Sequence, residues 1–289
     1  MNLLAVWNAR QELTGLIINL ACPSQATENL FTVSADFWHE ARLELRRRLG
    51  QNVYILPQCS AAGDQSPRTL VGKAAAARML RLQGRTEREE IGRRIADAVT
   101  DILPDISKEI AWAPRFAHIC EKMEVERRKL TEQDAREAIQ TAAAAQQRYE
   151  AIQAELAAHP EKKLEKRWYV DISREYRRMV WNREVEERYK SQQTRPVYPL
   201  ELHILRIGDV AMATNPFEYY LDYGLRIKGR SPAVQTFVVQ LAGGGTYLPT
   251  ARTIPAKGYG SIPAGTLVGP EGGEAIVERT LATLQTLWA

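Results

Sequence analysis

Val53-Tyr54-Ile55-Leu56-Pro57, followed shortly by Ala61-Ala62-Gly63-Asp64-Gln65-Ser66-Pro67-Arg68, decides how this chain is read. The first stretch is an apolar strand. The second is a tight Gly/Asp/Ser/Pro turn that presents a carboxylate and a hydroxyl. Polar side chains at the carboxyl end of a buried strand sit where α/β folds place their ligand sites. Upstream, Gly50 closes a helix that carries Phe37, Ala41 and Leu45 on one face, with Ser34 as its expected cap. Before that helix come two apolar runs, Leu3–Trp7 and Leu13–Ala21, joined by the polar Asn8–Glu12 as a hairpin. Cys22–Thr32 is then a loop. Strand, helix, strand in this order implies a parallel pair with a crossover.

Downstream, an Ala-rich helix runs to about Gln83. Thr86-Glu87-Arg88-Glu89 has capping-box spacing and opens a helix to about Leu103. From Pro104 to about Thr194 the chain turns charged, Ala-rich and Gln-rich, with no strand patterning. Leu130–Ala157 and Arg167–Gln192 read as two long antiparallel helices, a charged helical-hairpin insertion at about 104–196. Strand signals return at Leu200–Ile207 and Val210–Thr214. A helical Phe217–Ile227 and a buried strand Gln235–Leu241 repeat the strand, helix, strand order. Gly243-Gly244-Gly245 opens a Gly/Pro-rich loop to about Gly273, and Glu274–Leu287 closes the chain as an amphipathic helix. The expected fold is α/β: a mixed or largely parallel sheet flanked by helices, in one domain spanning 1–289.

Composition narrows the function. In 289 residues, apolar types make up 45% and charged types 26%, enough for a sizeable core. A net charge of +4 is too mild to point to nucleic acid, and no nucleic-acid partner is expected. No apolar run approaches the ~20 residues that span a bilayer. Cys22, Cys59 and Cys120 lack metal-finger spacing and argue against a disulfide scaffold. The N-terminus lacks the pattern of a signal peptide, so the chain reads as cytoplasmic as it stands. It also starts within a strand, which leads us to expect missing upstream sequence, where a signal would lie. Oligomeric state is not legible.

Four loops follow four strands, and their polar residues converge if the strands are parallel neighbours. They are Cys22, the pair Asp64 and Ser66, Glu218, and Tyr247. Ser66 reads as a nucleophile or a hydroxyl beside a metal-bound water, or else as a turn cap. Glu218 reads as a metal ligand, or as an acid at a helix N-terminus. Cys22 reads as a zinc thiolate, or as a small buried apolar residue. Tyr247 and Tyr259 read as a ligand and an oxyanion donor, or as packing under the glycine loop. His39, His118, His159 and His203 show no metal-ligand spacing and are not expected to be ligands. Gly243-Gly244-Gly245 has neither the dinucleotide nor the phosphate-loop spacing. Arg167-Trp168-Tyr169 and Tyr176-Arg177-Arg178 interleave basic and aromatic residues, as nucleic-acid patches do. However, Trp168, Ile172, Tyr176 and Val180 recur every four residues, the mark of a packing stripe.

The ordered series Asn19-Leu20-Ala21-Cys22-Pro23, Val33-Ser34-Ala35-Asp36, Gly63-Asp64-Gln65-Ser66-Pro67, Ile207-Gly208-Asp209-Val210-Ala211 and Pro216-Phe217-Glu218, with Tyr247 and Tyr259 beyond it, resembles the neutral/alkaline (non-lysosomal) ceramidases. The bacterial members of unassigned substrate are the nearest in kind. The resemblance implies a zinc-dependent hydrolase that cleaves the N-acyl amide bond of a lipid, with a small-molecule or lipid amide as substrate. It places Ser66 and Asp64 in the catalytic turn, Glu218 and Tyr247 on zinc, and Tyr259 as the second active-site tyrosine. The family has a zinc histidine where this chain has Cys22, so a thiolate replaces an imidazole. A second zinc histidine and an anion-binding arginine of the family fall upstream of Met1. The resulting expectation is an N-terminally incomplete ceramidase-like hydrolase, active or inactive as this chain. The alternative is a non-catalytic ceramidase-like binding or scaffold module.

Overall fold

The computed structural model describes residues 1–30 and 32–289. Phe31, inside the expected loop Cys22–Thr32, lies outside the described residues. The chain divides into two compact units, Met1–Lys122 with Glu201–Gly245 and Ile276–Ala289, and Met123–Leu200 with Thr246–Ala275.

In the first unit, β1 (Asn2–Trp7) and β2 (Leu13–Leu20) form the expected hairpin. Its turn is held by the Asn8 carboxamide oxygen, which accepts from the backbone N–H groups of Arg10 and Glu12 at 2.9 and 3.0 Å. Helix α1 (Phe37–Leu49) crosses over to β3 (Tyr54–Cys59), which pairs with β2 in parallel and completes a sheet of order β1-β2-β3. The α1 cap is Asp36 and not Ser34. The Asp36 carboxylate accepts from the backbone N–H groups of Phe37, Ala26 and Thr27 and from the Thr27 hydroxyl. Burial pushes this carboxyl up, but those four donors overcome it and hold the pKa below the usual carboxylate range. Ser34 instead accepts from the Asp36 N–H.

Helix α2 (Lys73–Gln83) is followed by α3 (Glu87–Ile106), which opens with the capping box of Thr86 and Glu89. Helices α1 and α3 cover one face of this sheet. Leu16, Ile18, Phe37, Leu45, Ile95 and Val99 form the core there, and each large side chain so buried contributes ~1.5–3 kcal/mol. The helices touch at Gly92, where a Cβ would lie 2.8 Å from the Ala41 backbone nitrogen.

The opposite face, through Leu4 and Ile17, meets Val210, Met212 and Phe237 of a second sheet. That sheet has the order β4-β5-β6-β8. Strand β4 (Phe116–Glu126) corrects the expectation that 104–196 holds no strand. Its inward residues include Glu121 among the apolar ones, which hides the alternation. The helical segment α4 (Glu132–Ala158) and α5 (Tyr169–Ser191) follows as expected. Strands β5 (Val197–Ile207) and β6 (Val210–Thr214) are antiparallel across a two-residue turn with Gly208 at φ 64°. Two-residue β7 (Glu218–Tyr219) precedes α6 (Leu221–Arg230), so Glu218 is extended backbone and not the first turn of a helix. Helix α6 crosses to β8 (Gln235–Val239), parallel to β6. Beyond it are two-residue β9 (Tyr247–Leu248) and the closing helix α7 (Pro270–Trp288). The sheets are thus mixed and flanked by helices, as expected.

In the second unit, α4 and α5 form an αα-hairpin. Small residues Ala135, Ala138, Ala142 and Ala145 line the buried seam of α4 at helical spacing. On α5 the buried residues are Glu175, Met179 and Val185. The stripe expected at Trp168, Ile172, Tyr176 and Val180 is displaced from this face, and Tyr176 is 49% exposed. No helix among the described residues is long and apolar enough to cross a membrane.

Candidate functional site

The parallel β2–β3 register sets Asn19 beside Gln58 and Leu20 beside Cys59. Both strands therefore end at the same level, and their next residues form one rim. Cys22 follows β2, with its sulfur toward the Pro23 carbonyl at 3.7 Å. The Cys59 thiol lies 3.6 Å from the Cys22 carbonyl. Burial pushes the Cys22 thiol up to about 11, with the Asp36 charge adding to it. Burial likewise pushes Cys59 to about 11, opposed by a hydrogen bond from Gln240 and reinforced by the charges of Cys22 and Glu218.

Gln240, just past β8, ties the rim together. Its side-chain oxygen accepts from the backbone N–H groups of Ala62 and Tyr219, both at 3.0 Å, and its amide donates to the Cys59 sulfur at 3.3 Å. The Ala61–Asp64 turn and the Glu218–Leu221 segment are then joined directly. The Gly63 N–H donates to the Tyr219 carbonyl at 2.9 Å, and the Leu221 N–H donates to the Asp64 carboxylate at 2.8 Å. Only glycine fits at 63, because a Cβ there would stand 2.3 Å from the Glu218 carbonyl oxygen. Tyr220 completes this cluster. Burial, and then the charges of Asp64 and Glu218, push its phenol up.

The expected site residues divide in a clear way. Cys22, Asp64, Ser66 and Glu218 belong to the first unit, and Tyr247 and Tyr259 to the second. Asp64 and Ser66 are exposed. Ser66 accepts the Arg68 N–H at 3.2 Å, the turn role weighed for it above. Tyr247 and Tyr259 form an edge-to-face pair with ring centroids 5.6 Å apart. Tyr259 lines a cavity of about 770 Å³ inside the second unit, with Arg128, Arg174, Trp181 and Lys257. Arg188 pins the turn beside it by donating to the Pro263 and Thr266 carbonyls at 2.5 and 2.7 Å. Burial pushes this guanidinium down to about 10.

Three rim residues were given no role by the sequence: Cys59, Gln240 and Asn19. Asn19 is fully buried and donates to the Val238 carbonyl at 2.8 Å, while its side-chain oxygen has no partner among the described residues. An orphaned buried acceptor costs about 1–3 kcal/mol.

For a metal, two thiols and a carboxylate are donors suited to a borderline divalent cation. The thiol pKa values raised by burial are what a cation's charge reverses. Cys22, Cys59 and Glu218 do not by themselves close into a three-donor group. Among the described residues that closure occurs elsewhere, at Cys120, Glu201 and His203, whose donor atoms all lie within 4.8 Å of one another.

A mixed-sheet α/β architecture with polar residues gathered at strand ends defines the class. Within that class, the chain has a ceramidase-like fold. It superposes on neutral ceramidase from Pseudomonas aeruginosa with a TM-score of 0.61 at 13% sequence identity, over 99% of this chain and 46% of that one. A ceramidase complexed with C2 gives the same TM-score and identity, over 99% of this chain and 47% of that one. The chain thus spans about half the length of the ceramidases it matches. No protein-family model matches it, and no curated protein matches it in sequence.

Proposed function

We propose that this chain serves a ceramidase-like hydrolase of lipid N-acyl amide bonds, with zinc held in the first unit through Cys22 and Glu218. The observation that carries this reading is geometric: Gln240 donates to the Cys59 sulfur at 3.3 Å and accepts from the N–H groups of Ala62 and of Tyr219, next to Glu218, while the half-buried Cys59 thiol lies 3.6 Å from the Cys22 carbonyl. Residues from three strand ends therefore meet along one rim, on a fold that follows ceramidases over 99% of the chain. When bound, zinc supplies a Lewis acid that polarises an amide carbonyl and acidifies water. The chain's own part is positioning. Gln240 fixes Cys59 and both rim turns. Asp64 holds the Ser66 turn against α6 and leaves the Ser66 hydroxyl at the exposed edge.

A second reading, a non-catalytic ceramidase-like binding module, draws on the turn-stabilising hydrogen bonds of Ser66 and Asp64. The deciding experiment is zinc per chain after dialysis, in a Cys120→Ser background, alongside fatty-acid release from an N-acyl sphingoid amide. Near-stoichiometric zinc that is lost in Cys22→Ser and in Glu218→Ala, with hydrolysis lost in Ser66→Ala, supports the hydrolase. Folded protein without zinc or hydrolysis, which still binds the amide, supports the module.

A further inference from the structure

We propose that Cys120, Glu201 and His203, with His118 beside them, form a second site, for a borderline divalent transition cation such as Zn²⁺, on the exposed face of the β4–β5 pair. Strand alternation places His118 and Cys120 on one face of β4, and Glu201 and His203 on one face of β5. The faces are the same. The His118 and His203 rings stack with centroids 5.3 Å apart, and His118 Nε2 lies 3.0 Å from His203 Nδ1. Leu202 and Ile204, which alternate with these residues, are buried on the opposite side.

The Cys120, Glu201 and His203 donor atoms already lie within 4.8 Å of one another. Tetrahedral bonds of ~2.0–2.3 Å to sulfur, nitrogen and oxygen need donors roughly 3.3–3.8 Å apart. Cys120 and Glu201 are exposed, so side-chain rotation alone closes the gap while the backbone stays in the sheet. The His203 backbone is anchored by donating its N–H to the Thr214 hydroxyl at 3.0 Å.

The donor set selects the cation. One thiolate and one carboxylate balance a 2+ charge. Mixed sulfur, nitrogen and oxygen ligands favour zinc, cobalt, nickel or copper over magnesium and calcium, which take oxygen alone. The competing partner is weak: Lys122 Nζ stands 3.5 Å from Glu201, with both side chains mostly in solvent. His118 is one hydrogen bond from His203 and serves as fourth ligand or as the group that orients it. Binding releases the thiol proton, so affinity rises with pH.

This site does not depend on the hydrolase reading, and the test separates the two. Co²⁺ is titrated into the whole chain, and the thiolate-to-cobalt charge-transfer absorption is followed. The expected result is a saturable band that, in a Cys22→Ser background, disappears on adding Cys120→Ser and weakens at least about tenfold in affinity on adding His203→Ala or Glu201→Gln. The band should persist in Cys22→Ser and in Glu218→Ala. A wild-type chain with no band overturns the proposal. So does a band that vanishes in Cys22→Ser, or one that survives Cys120→Ser once Cys22→Ser has removed the rim thiol. Circular dichroism matching the wild type confirms that each variant reports on ligation and not on folding.

Discussion

Gly63 and Gln240 show how much of the rim rests on single residues. At Gly63 the limit is space. Gly63→Ala drives a methyl group into the Glu218 carbonyl, 2.3 Å away. The backbone must shift, so the Gly63–Tyr219 hydrogen bond opens. The expected outcome in urea unfolding is a loss of about 1–3 kcal/mol, the range for overpacking. At Gln240 the limit is bonding. Gln240→Leu keeps the volume but removes the oxygen that accepts from the Ala62 and Tyr219 N–H groups. A loss of about 1–3 kcal/mol is expected, the cost of a buried polar group that loses its hydrogen-bond partner. A variant as stable as wild type in the same denaturant series would count against the bonding assigned to Gln240.

Among the elements, the helical hairpin offers a clean measurement. Thr131 caps α4, with its hydroxyl accepting from the Asp134 N–H at 3.1 Å and the Asp134 carboxylate returning the bond at 2.8 Å. Thr131→Ala should cost ~1 kcal/mol, read as a lower midpoint with an unchanged slope in urea. This helix was legible in the sequence, as were α1, α3 and the two strand-helix-strand halves. Periods of 2 and 3.6 stand out where one face is apolar. Strand β4 was not legible, because exposed His118, Cys120, Lys122 and Glu124 alternate with an inward row interrupted by Glu121. Cys22 and Glu218 could be placed at strand ends from sequence alone. Cys59, Gln240 and the His118–His203 pair could not. Their roles arise from sheet register and tertiary pairing, and 85 positions separate the two histidines. The signal that was available is weaker: two dyads of donors, each spaced by two, on strands that turn out to be neighbours.

At the scale of the whole molecule, α1 and α3 are cross-linked by charge, and this sets the acid limit of stability. Arg48 reaches both Glu44, at 2.6 Å, and Asp97, at 2.8 Å, while Glu90 is gripped by Arg85, Arg93 and Arg94. Hydrogen bonds from Arg47 and Arg48 hold the Glu44 carboxyl down at about 2, and those from Arg93 and then Arg94 do the same for Glu90. A carboxyl whose folded pKa lies below its unfolded value stabilises the fold above the unfolded value, near 4.5, and loses that contribution as pH falls towards the folded one. The chain should therefore lose stability between about pH 4.5 and pH 2. Glu90→Gln should lower the melting temperature at pH 7 and flatten that acidic limb. With solvent screening, the effect should be ~1–2 kcal/mol. A limb of unchanged steepness in thermal melts across that range would assign acid unfolding to other carboxyls.

The Gln240 latch has a consequence for how this surface can diversify. One side chain joins segments near positions 59, 62, 219 and 240. A substitution in any one of them alters what the others tolerate, so their effects will be epistatic. Variants that retune the rim should be reached through concerted changes at these positions, and a library that randomises them one at a time will mostly sample dead ends.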